Sequence, residues 1–296
     1  MGSIWSQTCS IGRRPPLRGH LKTQAAVVGA GMAGVLTAYA LQQAGLSVVV
    51  LEAGRIAGGQ TQNTTAKITS QHGLIYSRLI QSFGEETARR YAKANQDAVR
   101  AYQDLIDVQG ISCDWEERCA YLYGPDVTVL QEEAEAARRL GLPASFTREV
   151  SIPIPHDGAV CFEGQAQFHP LKFLKVLADQ LTIYEQSRVL TAEGDLLTTE
   201  LGSVQAEHIV FPCHFPFVNF PGMYFARMHQ ERSYVLALQG APPVDGMFLG
   251  VGRDTFSLRT YGELLLLGGG GHRSAAGAQI KDLDAGFAVH PVKGGN

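Results

Sequence analysis

Apolar residues recur along this chain in two rhythms. Short runs, Ala25-Ala26-Val27-Val28 and Leu46-Ser47-Val48-Val49-Val50-Leu51, have the composition of strands buried on both faces. Between them, residues 33–44 are nearly all apolar or small and stop at Gly45, which predicts a buried helix with a glycine terminator. Residues 77–109 change rhythm. Ala88, Tyr91, Ala92, Asn95, Val99, Tyr102, Leu105 and Ile106 fall three or four apart among charges, predicting an amphipathic helix closed by Gly110. A second charged helix is expected over 127–140, ahead of Gly141-Leu142-Pro143, with strands near 119–123 and 146–150 on either side. Pro170 suits the first position of a helix over 171–181. Short strands follow at 183–185, 188–191, 196–201, 203–206, 208–212 and 233–239, then a hairpin of 256–261 and 263–267 turning at Tyr261-Gly262. Residues 1–23, with Arg13-Arg14-Pro15-Pro16, read as a loose leader, and 276–296 as an irregular tail.

The first strand runs straight into Gly29-Ala30-Gly31-Met32-Ala33-Gly34, a complete G-x-G-x-x-G. In such a turn the first glycine permits the tight bend and the second admits a pyrophosphate close to the backbone. The third lets the helix pack against the strand. The helix N-terminus adds free N–H groups and a partial positive charge. The second strand ends at Glu52, about 20 residues past the glycines, where an acid suits the ribose hydroxyls of adenosine. Strand, glycines, helix, strand and acid in this order predict dinucleotide binding, and the fingerprint alone leaves FAD and NAD both open.

The segment after Glu52 bears on that choice. Ala53 to Lys67 is long, polar and rich in glycine and threonine, a loop length usually kept for function. Gly59, Thr61, Thr65, Ala66 and Lys67 are candidates for lining an extended cofactor. The glycine turn, Leu51-Glu52-Ala53 and Thr64-Thr65-Ala66-Lys67 resemble the D-amino-acid oxidase and glycine oxidase superfamily of FAD-dependent oxidoreductases. Ser3-Ile4-Trp5 and the run Thr65 to Gly73 resemble a branch in which a C-terminal Rieske domain often follows; no such domain is evident in this sequence. Further matches are Gln167-Phe168-His169-Pro170, Arg232-Ser233-Tyr234 and Leu267-Gly268-Gly269-Gly270-Gly271-His272-Arg273. The likeness covers roughly 3–273.

The resemblance implies an α/β fold, with a Rossmann-like FAD-binding domain interleaved with an α+β substrate domain built on an antiparallel sheet. It assigns 24–76, 160–220 and 264–275 to the first and 77–159 and 221–263 to the second. The cofactor-binding candidates are Gly29, Ala30, Gly31, Met32, Ala33, Gly34, Glu52, Ala53, Gly59, Thr61, Thr65, Ala66, Lys67 and Val189. Val189 would meet adenine through its backbone, though a plain core role suits it equally. It also implies oxidation of a C–N bond of an amino acid or amine, with hydride passing to the flavin. Arg232, Tyr234, Arg259 and His272 are the candidates for substrate orientation, with Lys67 and His72 as further candidates near the flavin. An Arg–Tyr pair suits a carboxylate through charge-assisted hydrogen bonds. The late strand ends at Cys213-His214-Phe215-Pro216, where the family carries small residues, and no role attaches to these four.

Totals narrow the alternatives. The formal net charge is −3, with 18% charged residues, so nothing favours nucleic acid. No apolar run approaches the ~20 residues of a membrane-spanning helix. Five scattered cysteines, none at metal-site spacing, suit a reducing cytoplasm, and no metal is expected. Oxygen and a redox partner are both open as electron acceptor. Residues 274–296 contain no D-G-x-P-x-I-G segment, which raises a competing expectation: a truncated or divergent end and an impaired, nucleotide-binding remnant with an incomplete flavin pocket. An NAD(P)-dependent dehydrogenase is disfavoured by the Gly/Thr segment and the late glycine run.

Overall fold

The computed structural model describes residues 2–219, 222–228, 230–252, 255–273 and 288–291. The chain divides into two compact units, one holding 5–64 and 170–230, the other 1–4, 65–169 and 231–296. Each is crossed more than once by the chain, as interleaving requires.

In chain order the elements are α1 (Ile4–Thr8), β1 (Gly19–Val28), α2 (Met32–Gln43), β2 (Val48–Leu51), β3 (Lys67–Ile68), α3 (Tyr76–Phe83), α4 (Glu85–Gln109) and β4 (Glu116–Gly124). Then follow α5 (Val127–Arg139), β5 (Ala144–Thr147), β6 (Gly158–Gln167), α6 (Pro170–Ala178), β7 (Ile183–Tyr184), β8 (Thr191–Glu193), β9 (Leu196–Thr198) and β10 (Gly202–Val210). The chain closes through β11 (Glu231–Gln239), β12 (Met247–Gly250), β13 (Ser257–Tyr261), β14 (Leu264–Arg273) and β15 (Ala288–Pro291).

The first unit is built on a six-stranded sheet in the order β7-β2-β1-β10-β9-β8. Its four leading strands are mutually parallel, and β9 and β8 return antiparallel. The apolar runs foreseen as strands are those strands: Ala25, Ala26 and Val27 are fully buried, as doubly covered parallel strands must be. Leu17, Val28, Leu51, Val189, Leu197 and Val204 form one core cluster of this unit.

The other unit carries a nine-stranded sheet, β15-β11-β14-β13-β12-β4-β6-β3, with β5 added on β6. Pairing is antiparallel except β12 with β4 and β11 with β15. Helices α3, α4 and α5 contribute Tyr76, Ala88, Ala92, Leu130 and Ala137 to a core shared with Leu122, Val160 and Phe162 of the sheet.

Several expectations change. The leader is ordered: α1 buries Trp5 completely, and β1 starts at Gly19 rather than near residue 25. The single helix over 77–109 is two, because Gly84 takes φ 79° and ψ 161°, outside helical space. The strands expected at 203–206 and 208–212 are one, β10, and the strand expected at 188–191 begins only at Thr191, as β8. Residues 65–76, 160–169 and 264–273 group with the nine-stranded sheet, not with the six-stranded one, because β3, β6 and β14 are members of that sheet. Within the tail expected to be irregular, Ala288–Pro291 forms β15 parallel to β11; 274–287 and 292–296 lie outside the described residues.

One buried carboxylate fixes the helical layer of the nine-stranded unit. Glu133 on α5 is 1% exposed, and its Oε1 accepts from the Ile75 and Tyr76 amides at 2.8 and 2.7 Å. Its Oε2 accepts from Ser77 at 3.0 Å, so α5 caps α3, whose own N-cap residue Ile75 has no side-chain acceptor. Glu133→Ala is therefore expected to destabilise the protein by about 2–4 kcal/mol, since three amides lose a charged acceptor. Urea unfolding of the variant against wild type measures this.

Candidate cofactor site

The glycine turn owes its shape to steric limits that are visible atom by atom. A Cβ on Gly34 would stand 1.9 Å from the Gly29 carbonyl oxygen, so only glycine lets α2 approach β1 this closely. Gly29 has φ +111°, and a Cβ there would meet the Pro212 carbonyl at 3.2 Å and Cys213 Cα at 3.4 Å. The segment after β10 therefore closes over the turn. Pro212, and Cys213, to which the sequence attached no role, are part of its wall. No hydrogen-bonding motif marks them; only the register of β10 against β1 places them there.

Helix α2 begins at Met32 behind Gly31, which provides no side-chain cap. The Met32 amide instead donates to Thr61 Oγ1 at 2.9 Å. Thr61 comes from a short 3-10 turn, Gln60–Asn63, so the Gly/Thr loop folds back onto the helix N-terminus. Ala57, held at φ 57°, anchors the same loop by donating its amide to the Ala30 carbonyl at 2.9 Å. Glu52 leaves β2 with both carboxylate oxygens engaged: Oε2 accepts from the Ala30 amide and Oε1 from Gly54, each at 2.7 Å. A carboxylate offers about four acceptor positions. The two remaining are available to the hydroxyls of a ribose.

These residues fit the ADP portion of a dinucleotide. The three glycines add no side chain of their own to the turn, the helix end presents its dipole, and an anchored acid stands beside it. Gly29, Ala30, Gly31, Met32, Ala33, Gly34, Glu52, Ala53, Gly59, Thr61 and Val189 all lie in the unit with the six-stranded sheet. The Val189 side chain is core, 7% exposed.

Thr65, Ala66 and Lys67 fall in the other unit, as do His72 and the four substrate-orienting candidates. Ala66 adopts φ 55°, a left-handed conformation uncommon for a residue with a side chain. Its carbonyl is held by Arg259 Nη1 at 2.5 Å and by the Phe168 amide at 3.4 Å. Arg259 is 1% exposed on β13, with Tyr261 stacked 5.7 Å from its guanidinium carbon. It holds the backbone beside Lys67 in place. Lys67 Nζ reaches inward from β3 and donates to the Phe248 carbonyl and Ser257 Oγ, both at 2.6 Å. Burial, and after it the charge of Arg259, push its pKa down to about 7. Burial likewise brings Arg259 down to about 10.

Arg232 and Tyr234 sit on β11, paired with His272 and Gly269 of β14. The register slips between them, with Gly270 at φ +67°. The glycine run makes room for rings: a Cβ at 269 would lie 2.7 Å from Phe256 Cδ1, and one at 270 would lie 3.4 Å from Tyr234 Cδ2. Arg232 is half-buried and Tyr234 is 40% exposed. The His272 side chain lies outside the described residues. His72 is remote from this group in role, bonding Asn95 at 3.2 Å near the surface of α4. Two polar side chains in this unit were given no site role by the sequence reading. Gln167, opposite Lys67 in the β3–β6 register, donates to Glu116 Oε2 at 2.9 Å and to the Thr260 carbonyl at 3.0 Å. Tyr261 donates its hydroxyl to Asp114 at 2.7 Å.

Comparison with known proteins agrees with this geometry. Residues 24–288 match the model of the DAO family, FAD dependent oxidoreductase. YhfW of Bacillus subtilis (strain 168), named as a Rieske 2Fe-2S iron-sulfur protein, is 34% identical over 294 residues, covering 93% of this chain and 57% of that protein. The gamma-glutamylputrescine oxidoreductase of Escherichia coli (strain K12) is 26% identical over 200 residues, 62% of this chain and 47% of that one. The chain thus spans about half the length of these relatives. Among solved structures, glycine oxidase from Geobacillus kaustophilus superposes with a TM-score of 0.62 at 16% identity, covering 86% of this chain and 73% of that chain. L-proline dehydrogenase from P. horikoshii gives 0.66 at 16% identity, with 89% and 73% covered. At that identity they share the fold.

Two outcomes are expected. Gly34→Ala forces backbone against backbone, and it should abolish dinucleotide binding and lower stability by about 2 kcal/mol or more, read by FAD titration and chemical unfolding. For Lys67, the folded pKa lies below the unfolded one, so from about pH 7 up to the ordinary lysine value of 10.5 the unfolded chain binds more protons and stability rises with pH. Lys67→Met should remove that rise, up to about 1.4 kcal/mol per pH unit. Unfolding midpoints collected across this range test it; parallel pH curves for the two proteins would contradict the assignment.

Proposed function

The chain belongs to the DAO family of FAD-dependent oxidoreductases, and we propose that it oxidises a C–N bond of an amino acid or amine. The observation that carries this reading is the Gly29–Gly34 turn. It holds a backbone approach that any side chain at 34 would block, with Glu52 anchored beside it. Bound FAD would supply the hydride acceptor that no side chain can provide.

The protein's own groups do the rest. The amides and dipole at the start of α2 receive the pyrophosphate, and the free acceptor positions of Glu52 receive ribose hydroxyls. Arg259 fixes the Ala66 carbonyl and so the Thr65-Ala66-Lys67 backbone. Lys67, held by Phe248 and Ser257, has a pKa of about 7, which makes it a group able to hold or release a proton at neutral pH. Arg232 and Tyr234 on β11 offer a cation and a hydroxyl to a substrate carboxylate, with His272 opposite Arg232 in the β11–β14 register. Names among the relatives and structural neighbours, gamma-glutamylputrescine oxidoreductase and glycine oxidase, support an amine or amino-acid substrate. Oxygen or a redox partner then takes the electrons.

The purified protein is expected to be yellow, or to become so when FAD is added. Anaerobic addition of a panel of amino acids and amines should bleach the flavin absorbance for the true substrate class. A protein that takes up FAD but bleaches with no member of the panel would support the binding remnant instead. A protein that takes up no FAD would overturn the reading altogether.

A further inference from the structure

The leader expected to be loose is docked along one edge of the nucleotide unit, and its contacts converge on a single buried acid. Glu185 follows β7, is 1% exposed, and accepts from the Ile56 amide at 2.8 Å and the Arg14 amide at 2.9 Å. Arg55 also pairs with it and donates to the Ile11 carbonyl at 2.8 Å. Ser187, two residues on, accepts from the Leu17 amide at 2.8 Å. At the far end of the arm, Trp5 is fully buried and its indole donates to the Thr64 carbonyl at 2.8 Å. The arm therefore holds the first and last turns of the Gly/Thr loop, at Arg55-Ile56 and at Thr64.

The same strand end carries Glu52. Its amide donates to the Tyr184 carbonyl, and its carbonyl accepts from Ser187, both at 2.8 Å. Gly54 is bound by the Gln186 amide at 3.2 Å and side chain at 3.0 Å. Arm, residues 184–187, Glu52 and the Ala30 amide form one continuous set of hydrogen bonds.

We propose that the N-terminal arm, residues 5–18, is a working part of the adenosine end of the cofactor site, locked by Glu185, so that arm docking and FAD binding stabilise each other. The proposal rests on the FAD-binding reading. Glu185, Trp5 and Arg55 act as positioning residues through Glu52 and the Gly/Thr loop, and need not touch the cofactor. Mutual stabilisation follows from linkage: whatever orders the loop for FAD must be ordered by FAD in return.

The test uses the full chain. Arg13 and Arg18 are exposed in the arm, so trypsin cleavage at these two positions reports undocking. In wild type, saturating FAD should slow that cleavage severalfold, and Glu185→Gln should raise the Kd for FAD about tenfold, the effect of weakening one charged acceptor. Trp5→Phe, which keeps the apolar bulk and loses the N–H, should fall between. If wild type binds FAD yet its arm is cut at the same rate with and without it, the proposal is overturned. Equal FAD affinity in wild type and Glu185→Gln overturns it too. If Glu185→Gln does not fold, the wild-type cleavage rates decide alone. Failure of wild type itself to bind FAD instead removes the underlying reading, and the arm's role with it.

Discussion

Every backbone amide that leaves a ladder or helix inside this molecule needs an acceptor, and burying it without one costs about 1–3 kcal/mol. Three glutamates meet much of that demand where the chain turns. Glu133 takes the three amides that open α3, Glu185 takes Arg14 and Ile56, and Glu52 takes Ala30 and Gly54. A carboxylate is suited to this because each oxygen accepts more than one bond and an anion complements clustered N–H dipoles. Its own burial is tolerable for the same reason, since the donors replace its hydration. These acids define where loops sit, and the loops define the site.

The parts of the fold that obey a local rule were legible in the sequence. The β1–α2–β2 unit was, because each feature is short-range: an apolar run, three glycines at fixed offsets, an acid after the next strand. Pro170 marked its helix for the same reason. What stayed hidden depends on contacts across long stretches of chain. Trp5 reads as part of a polar leader until Thr64 and the unit's interior are in place around it. In hindsight a tryptophan in an otherwise loose segment was the available signal, since so large an apolar surface rarely goes uncovered. Glu185 had no signal at all. At the end of an apolar dipeptide it looks like an ordinary surface acid.

Arg259, a candidate for substrate orientation, shows the converse, a residue whose holding contact no local pattern announces. A cation beside an aromatic on a late strand suggests a carboxylate clamp. The side chain also spans to the carbonyl of Ala66, a residue in left-handed conformation 193 positions earlier. Without that donor the strained Ala66 would have less to hold it, because φ > 0 is unfavourable for any residue with a Cβ. The glycine run is a similar case. Sequence likeness singled it out as a family mark, while its physical content is space: one left-handed residue to shift the register, and bare backbone under the rings of Phe256 and Tyr234.

The chain passes from one compact unit to the other at Thr64-Thr65-Ala66, and both sides of that passage are fastened by carbonyls. The Thr64 carbonyl is taken by the Trp5 indole, the Ala66 carbonyl by the Arg259 guanidinium. Carbonyl anchoring holds this backbone without using the Thr65 and Lys67 side chains, and the Lys67 amine is engaged separately by the Phe248 carbonyl and Ser257 Oγ. It also explains why the Gly/Thr segment can be long without being loose. Thr61 is tied to α2, Ala57 to Ala30, Ile56 to Glu185, and Thr64 to Trp5, so few residues of the loop are more than a step from a fixed point. Such a loop would lose little entropy on meeting a ligand, although it has almost no regular structure.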